Sequence, residues 1–338
     1  MKKAIILLAC MAMFLCYGQG KRHSCHWELN GIQKVMLLIS TAETAKTRLD
    51  KPWVPPAPLM TLQSLPYSSQ DMSDSSPEEA VKMFQANHEQ RLANQGTQAE
   101  LALFACMMGT INCNRGKNKL KNVAFGSQMC QAIDKFSSMA GEYFDPNCID
   151  FRPRVDNDQG SQRIFLENTR NSEIVIVPFF LRLLFEEPVI KPEDGQKRNV
   201  TQTISCDIMN MDGNIISSKA ETISKAIGPA PATEDEEDTE LVNLMAETLA
   251  SIAASINKFF VAKTSIKLLG PQNDVAFDPR PATVTIDRTQ YGPDEEISIL
   301  KGNHVIAIDL DGYRQADKHI FFIQQDGPIS LTMEKTGK

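Results

Sequence analysis

The stretch His88-Glu89-Gln90-Arg91-Leu92 opens like the helix of a zinc-dependent hydrolase. Two histidines one turn apart put both imidazoles on one helix face, with the glutamate as general base. Leu92 stands where the second histidine is needed, so the stretch predicts a solvated helix face. Asp156, Asp158 and Gly160 resemble a fragment of a calcium loop, in which alternating carboxylates converge on a hard cation. That fragment is one acid short and its glycine comes early, which points to a turn. Arg115, Lys117, Lys119 and Lys121 place four cations within seven residues of a chain whose formal charge is −7. They read as a charged loop, with contact to an anionic polymer, lipid headgroup or acidic partner as the functional alternative. The sequence lacks a Gly-x-Ser-x-Gly elbow, a phosphate-binding Gly-x-x-x-x-Gly-Lys-[Ser/Thr] loop and a Cys-x-x-Cys pair. With 5 histidines and no activated-nucleophile motif, the expectation is a protein that is not an enzyme and carries no cofactor.

The elements that would hold these residues begin after a leader. Lys2 and Lys3 precede the apolar run 4–15, and small residues follow at Gly18 and Gly20. This is the layout of a secretory signal peptide, and the run is too short to span a bilayer. Cleavage fits after Gly18 or Gly20. A lipid anchor at Cys10 or Cys16 is disfavoured, because only six apolar residues precede Cys10 and Leu15 stands before Cys16. Loss of Lys2 and Lys3 takes the formal charge from −7 to −9, a balance that argues against nucleic-acid binding. Cleavage after Gly20 would expose Lys21-Arg22-His23. Its amine, two amides and imidazole form a square-planar nitrogen set for Cu(II) or Ni(II); cleavage after Gly18 removes it, and no metal is the default expectation. Cys25, Cys106, Cys113, Cys130, Cys148 and Cys206 remain, an even number that an exporting route allows to pair. The alternative is buried thiols acting as small hydrophobes.

Composition divides the rest. Residues 51–76 are rich in Pro and Ser and read as a linker. Residues 31–49 are compatible with a helix, and Ser76-Pro77-Glu78-Glu79 is a strong helix start. Residues 21–150 are therefore expected to be mainly helical. Residues 151–270 read as an α+β domain. The run 173–180 is a buried strand, Asp212-Gly213 marks a hairpin, and the acidic run 234–238 forms a solvated loop. Leu241, Met245, Leu249, Ile252, Ile256 and Phe260 make one apolar helix stripe that lies on the sheet. In outline this region resembles the middle part of CsgG-like envelope proteins. From Ala282 the hydrophobic period becomes two, with short runs around Val284, Ile297, Ile306 and Leu331 separated by turn residues. The fold class expected is thus α+β and multidomain, closing with a small all-β module over 278–338.

Within that module, Pro279-Arg280-Pro281-Ala282 stands at the position of a Pro-Glu-Gly-Ala tetrad. Gly292-Pro293 lies near a second turn, Gly302-Asn303-His304 forms a Gly-x-His turn, and Gly312-Tyr313 a Gly-Tyr turn. These residues resemble the PEGA domain, a β-module of bacterial surface and envelope proteins. The resemblance implies an interaction module that is not catalytic, with His304 and Tyr313 as contact or turn residues and Gly292, Pro293, Gly302 and Gly312 in structural turns. The expectation is an exported protein of the periplasm or cell envelope. It would bind or scaffold an envelope protein or surface polymer, with peripheral membrane contact allowed; the alternatives are a subunit of an envelope secretion or transport assembly and a periplasmic enzyme.

Overall fold

The computed structural model describes residues 33–48, 77–93, 100, 103–104, 107, 113–152, 159–211, 213–232, 238–272 and 274–336. The first element, β1 (Lys34–Thr44), corrects the expectation of a mainly helical N-terminal region: it is the buried inner strand of the main sheet. Its run Val35–Ile39 is buried on both faces, so it lacks the period-two pattern by which a half-exposed strand is recognised. The described residues as a whole hold more strand than helix, 39% against 32%, spread over several sheets.

Helices α1 (Pro77–Ala93), α2 (113–120) and α3 (Gly126–Met139) follow. Then come β2 (Ile149–Phe151), α4 (Gln159–Arg170), β3 (Ile176–Phe185) and β4 (Val189–Pro192). The antiparallel pair β5 (Arg198–Met209) and β6 (Ile215–Ile227) leads to α5 (Thr239–Phe260). The main sheet runs β2-β1-β3-β5-β4, with β6 along the other edge of β5. β1 is parallel to β2 and β3, while β3, β4 and β6 are antiparallel to β5.

Helices α3 and α5 cover one face of this sheet, where Val35, Leu37, Phe179 and Ile204 meet Ile133 and Leu249. The start of α5 is fixed by Asp238: its carboxylate accepts from the Leu241 amide at 3.2 Å and pairs with Arg198 at 2.7 Å. The last acid of the run read as a solvated loop is thus a buried N-cap, a position where a carboxylate satisfies an orphan amide. Residues 234–237 lie outside the described residues. The opposite sheet face holds Met36, Leu38, Phe180 and Met209 under Phe165 of α4. There Arg182 Nε donates to Glu43 Oε1 at 2.7 Å, an ion pair between neighbouring strands with side chains only 10% and 3% exposed.

Helix α2 approaches β1 through Gly116. A Cβ at this position would stand 2.1 Å from the Ala42 carbonyl oxygen, and backbone cannot give way as a side-chain tip can. Gly116→Ala is therefore expected to lower the unfolding free energy by about 1–3 kcal/mol through overpacking. This outweighs the ~1 kcal/mol that alanine normally gains over glycine in a helix. A urea midpoint equal to wild type would refute the close approach.

The C-terminal strands begin without a linker. β7 (Val261–Thr264) and β8 (Ile266–Leu269) follow α5 directly, with only Ser265 between them. Beyond them are β9 (Thr283–Ile286), β10 (Thr289–Tyr291), β11 (Ile297–Leu300), β12 (Gly302–Asp309), β13 (Tyr313–Gln315), β14 (Ile320–Ile323) and β15 (Ile329–Lys335). β7 pairs with β11 and β8 runs parallel to β15. A cut at 270–278 would therefore sever hydrogen-bonded sheets. The other strands form a sheet β10-β9-β12-β14 and a β13-β15-β8 group around Val284, Ile306, Leu331 and Met333.

Candidate functional site

Helix α1 lies across the C-terminal sheet. Phe84, His88 and Arg91 recur at spacings of four and three, which places them on one helix face. All three are buried. The reading of His88–Leu92 as a solvated face is thereby corrected, because the polar residues of this helix point inward as well as outward. The signal was present in the sequence as Phe84 one turn before His88, but two polar residues in the same stripe obscured it. Between α1 and the strands lies a cavity of about 350 Å³ lined by Gln33, Gln85, His88, Asp287, Arg288 and Val305, among others. Leu92, at the far end of α1, packs against the main core. The helix therefore bridges the two cores, and the cavity opens at their junction.

Asp287 is the pivot of this region. It occupies a left-handed conformation with φ 47°, followed by Arg288 at 81°, where a short polar side chain that bonds locally is tolerated. Its amide donates to the Val305 carbonyl, its Oδ1 accepts from the Val305 amide at 2.8 Å, and its Oδ2 accepts from His304 Nδ1 at 2.5 Å. The other ring nitrogen, His304 Nε2, donates to the Leu300 carbonyl at 2.5 Å. His304, 1% exposed, thus joins the β9–β10 turn to the end of β11.

A second cavity of about 200 Å³ lies on the other side of Asp287 and is lined by Cys148, Tyr291 and His304. Cysteine and histidine share this wall, the pairing that makes a thiolate nucleophile when the thiol ionises easily. Here burial, and then Asp145, push the Cys148 thiol from its ordinary 9.0 up to about 12. The arrangement holds a thiol, not a thiolate, at neutral pH. Burial likewise raises Cys130 and Cys206. Cys130, Cys148 and Cys206 are free thiols and form no disulfide; Cys25 and Cys106 lie outside the described residues. Native protein at pH 8 is expected to alkylate Cys130, Cys148 and Cys206 at least a hundredfold more slowly than urea-unfolded protein. Peptide-resolved mass spectrometry checks this. Because the folded thiols ionise at higher pH than the unfolded ones, their contribution to stability is complete below about 9. It is lost as pH rises toward 12, by about 1.4 kcal/mol per pH unit for each fully shifted thiol.

The four cations do not form one patch. They lie on α2 and the turn after it, not on a loop. Lys117 points toward Asp134 of α3 and is paired with it. Arg115 and Lys119 line an open hollow together with Asn114, Asn118 and Asn122, the i, i+4 and i+8 ladder of one helix face. Lys121 is exposed in the turn. Tyr313 sits far along the C-terminal module: its ring meets Phe277 edge-on at 5.2 Å and its hydroxyl donates to Asp274 at 2.8 Å. That bond, reinforced by Lys335, holds the Asp274 carboxyl below its ordinary range. Gly302 and Gly312 have φ of 144° and 79°, conformations that favour glycine. The Gly292 amide donates to Glu295, and Pro293 continues that turn. His23 and the Asp156–Asp158 pair lie outside the described residues, and Gly160 is exposed at the start of α4. Among the described residues no group of three His, Cys, Asp or Glu converges on a metal position, and no helix is long and apolar enough to cross a membrane.

No family model and no curated protein matches the chain. Among solved structures it is similar to a minor lipoprotein from Acinetobacter baumannii, at 15% identity over 39% of this chain and 79% of that one, with a TM-score of 0.21. It is also similar to the PelC dodecamer from Paraburkholderia phytofirmans, at 14% identity over 37% and 73%, with a TM-score of 0.19. A homolog of the neuraminyllactose-binding hemagglutinin from Helicobacter pylori aligns at 9% identity over 69% and 88%, with a TM-score of 0.21. At these scores the likenesses assign neither a fold nor a function.

Proposed function

We propose that the chain is an exported, non-catalytic protein of the bacterial cell envelope that binds or scaffolds an envelope protein or surface polymer. The observation that carries the reading is the α2 face. Arg115 and Lys119 stand with three asparagines in an open hollow of about 580 Å³, on a chain of net negative charge. Neither cation has an ion-pair partner among the described residues. Donor-rich side chains on a shallow surface suit an extended anionic or hydroxyl-bearing partner better than a small reactant. His304 and Tyr313 support the same reading from the other direction, since their polar atoms are spent on holding strands and turns together. Export is supported by the charged and apolar leader pattern, and the C-terminal module resembles the PEGA interaction domain. A photo-crosslinking residue placed at Asn118 or at the exposed Phe322 in living cells tests the proposal. A defined adduct at either position, lost when Arg115 and Lys119 become glutamine in the first case, supports it. Absence of adducts at both positions sinks it.

A second reading, a subunit of an envelope secretion or transport assembly, is favoured by β6. Among the described residues this strand of 13 residues pairs only with β5, and its other edge carries no described strand. In antiparallel pairing with a second copy, Ala220 opposite Ala220 sets Lys219 against Glu221 twice, the cross-strand charge match that stabilises such pairs. A monomeric mass by native mass spectrometry at high micromolar concentration would end this reading.

A further inference from the structure

Asp287 and Arg288 are the whole turn between β9 and β10, since Ile286 pairs directly with Thr289. Both have positive φ, 47° and 81°. That is a type I′ hairpin turn, whose usual occupants are asparagine or aspartate followed by glycine. Aspartate meets the first half of this preference and arginine contradicts the second. A side chain is strained at φ 81°, and strain of this kind clusters where a residue serves a site. Arg288 is exposed and makes no hydrogen bond or ion pair among the described residues, so no described contact within the fold requires it. It does line the cavity of about 350 Å³ between α1 and the C-terminal strands. Glu89 lines the same cavity from the α1 side. It too is exposed and has no ion-pair partner among the described residues.

We propose that this cavity is a binding site for a free α-amino acid with an apolar side chain. Arg288 takes the carboxylate, whose two oxygens match the planar guanidinium fork. Glu89, across the cavity, takes the ammonium group. The apolar side chain lies on Phe84, Val305 and Ala307. A simple anion would meet repulsion from Glu89 and a simple cation from Arg288, whereas a zwitterion satisfies both charges at once. The other carboxylate on the wall, Asp287, is already engaged by His304 and Val305. The Gln33 amide nitrogen is likewise spent, donating to the Asp287 carbonyl at 2.6 Å. Ligand pockets run from about 300 to 1,000 Å³, so this one sits at the small end, where a single amino acid fits. The site shares no residue with the α2 face, and it stands independently of whether the chain scaffolds a partner.

The test is calorimetric titration of the full chain with L-phenylalanine, L-leucine and glycine, and with N-acetyl-phenylalanine and phenylalanine amide. Wild type is expected to bind phenylalanine and leucine saturably, and at least tenfold more tightly than glycine, which has no side chain for the apolar wall. Acetylation removes the ammonium charge and amidation removes the carboxylate; each should weaken binding at least tenfold. The variants then locate the two ends of the ligand. Glu89→Gln should bind phenylalanine at least tenfold more weakly, with no further loss on acetylation. Arg288→Gly should show the same weakening, with no further loss on amidation. A residue that merely supported the fold would weaken all ligands alike and leave both analogue penalties in place. A wild type indifferent to phenylalanine and leucine overturns the proposal. So does equal affinity for phenylalanine and its two blocked forms, or unchanged affinity in either variant. Should Arg288→Gly fail to fold, Glu89→Gln decides alone, because it alters only an exposed helix position.

Discussion

Arg182→Met is expected to lower the unfolding free energy by about 3–5 kcal/mol, because it removes the counter-charge from a Glu43 carboxylate buried inside the sheet. Arg182 and Glu43 lie on neighbouring strands, 8% and 2% exposed as whole residues, and meet at 2.7 Å. Taking two charges out of water costs several kcal/mol each, and only their mutual attraction and added hydrogen bonds offset this. Removal of one partner leaves the desolvation cost without its compensation. The double replacement Glu43→Leu with Arg182→Met should therefore recover most of the loss, and that contrast identifies the cause. Urea unfolding of the two single variants and the double variant gives the coupling directly. Additive single losses would show that the pair is not coupled. The pair also has a consequence for pairing specificity. A shift of β1 against β3 by one residue would turn Glu43 to the opposite face of the sheet, away from Arg182.

Asp287→Ala is expected to cost about 2–4 kcal/mol. The Val305 amide and His304 Nδ1 lose their acceptor together, and each unsatisfied buried donor costs about 1–3 kcal/mol. Alanine also tolerates the φ of 47° less well than aspartate does. Asp287→Asn keeps an acceptor for Val305 and accommodates the left-handed backbone, so it should cost less than half as much. Denaturant midpoints with unchanged m-values check both variants. Equal losses for Ala and Asn would assign the effect to the His304 contact alone. An undisturbed Asp287→Ala protein would show that the turn is held by its backbone bonds.

What the sequence makes legible depends on how many faces of an element are buried. The helix 239–260 is readable because Leu241, Met245, Leu249, Ile252, Ile256 and Phe260 face the sheet while the other side meets solvent. The strand at 283–286 is readable for the same reason in period two: Val284 and Ile286 are buried, and Thr283 and Thr285 less so. β1 fails this test, since neither of its faces reaches water. The chemistry behaves in parallel fashion. The turn glycines Gly302 and Gly312 are visible as local signals, because a positive φ is a property of a few consecutive residues. The partners of His304 are not, because Asp287 lies 17 residues away and the distance is closed only by strand pairing. Arg91 is the extreme case: a cation in a polar helix gives no hint of burial until the helix is laid on a sheet.

β1 imposes a delay on the way the chain comes into being. Its partner β3 lies far downstream, as in the bond from Ser40 to Leu181 that spans 141 residues. At a synthesis rate of about 5–20 residues per second, the strand waits roughly 7–28 seconds before β3 exists to pair with it. During that interval one of the most water-averse segments of the chain is finished and unpaired. Closure of the main sheet therefore waits on the synthesis of β3.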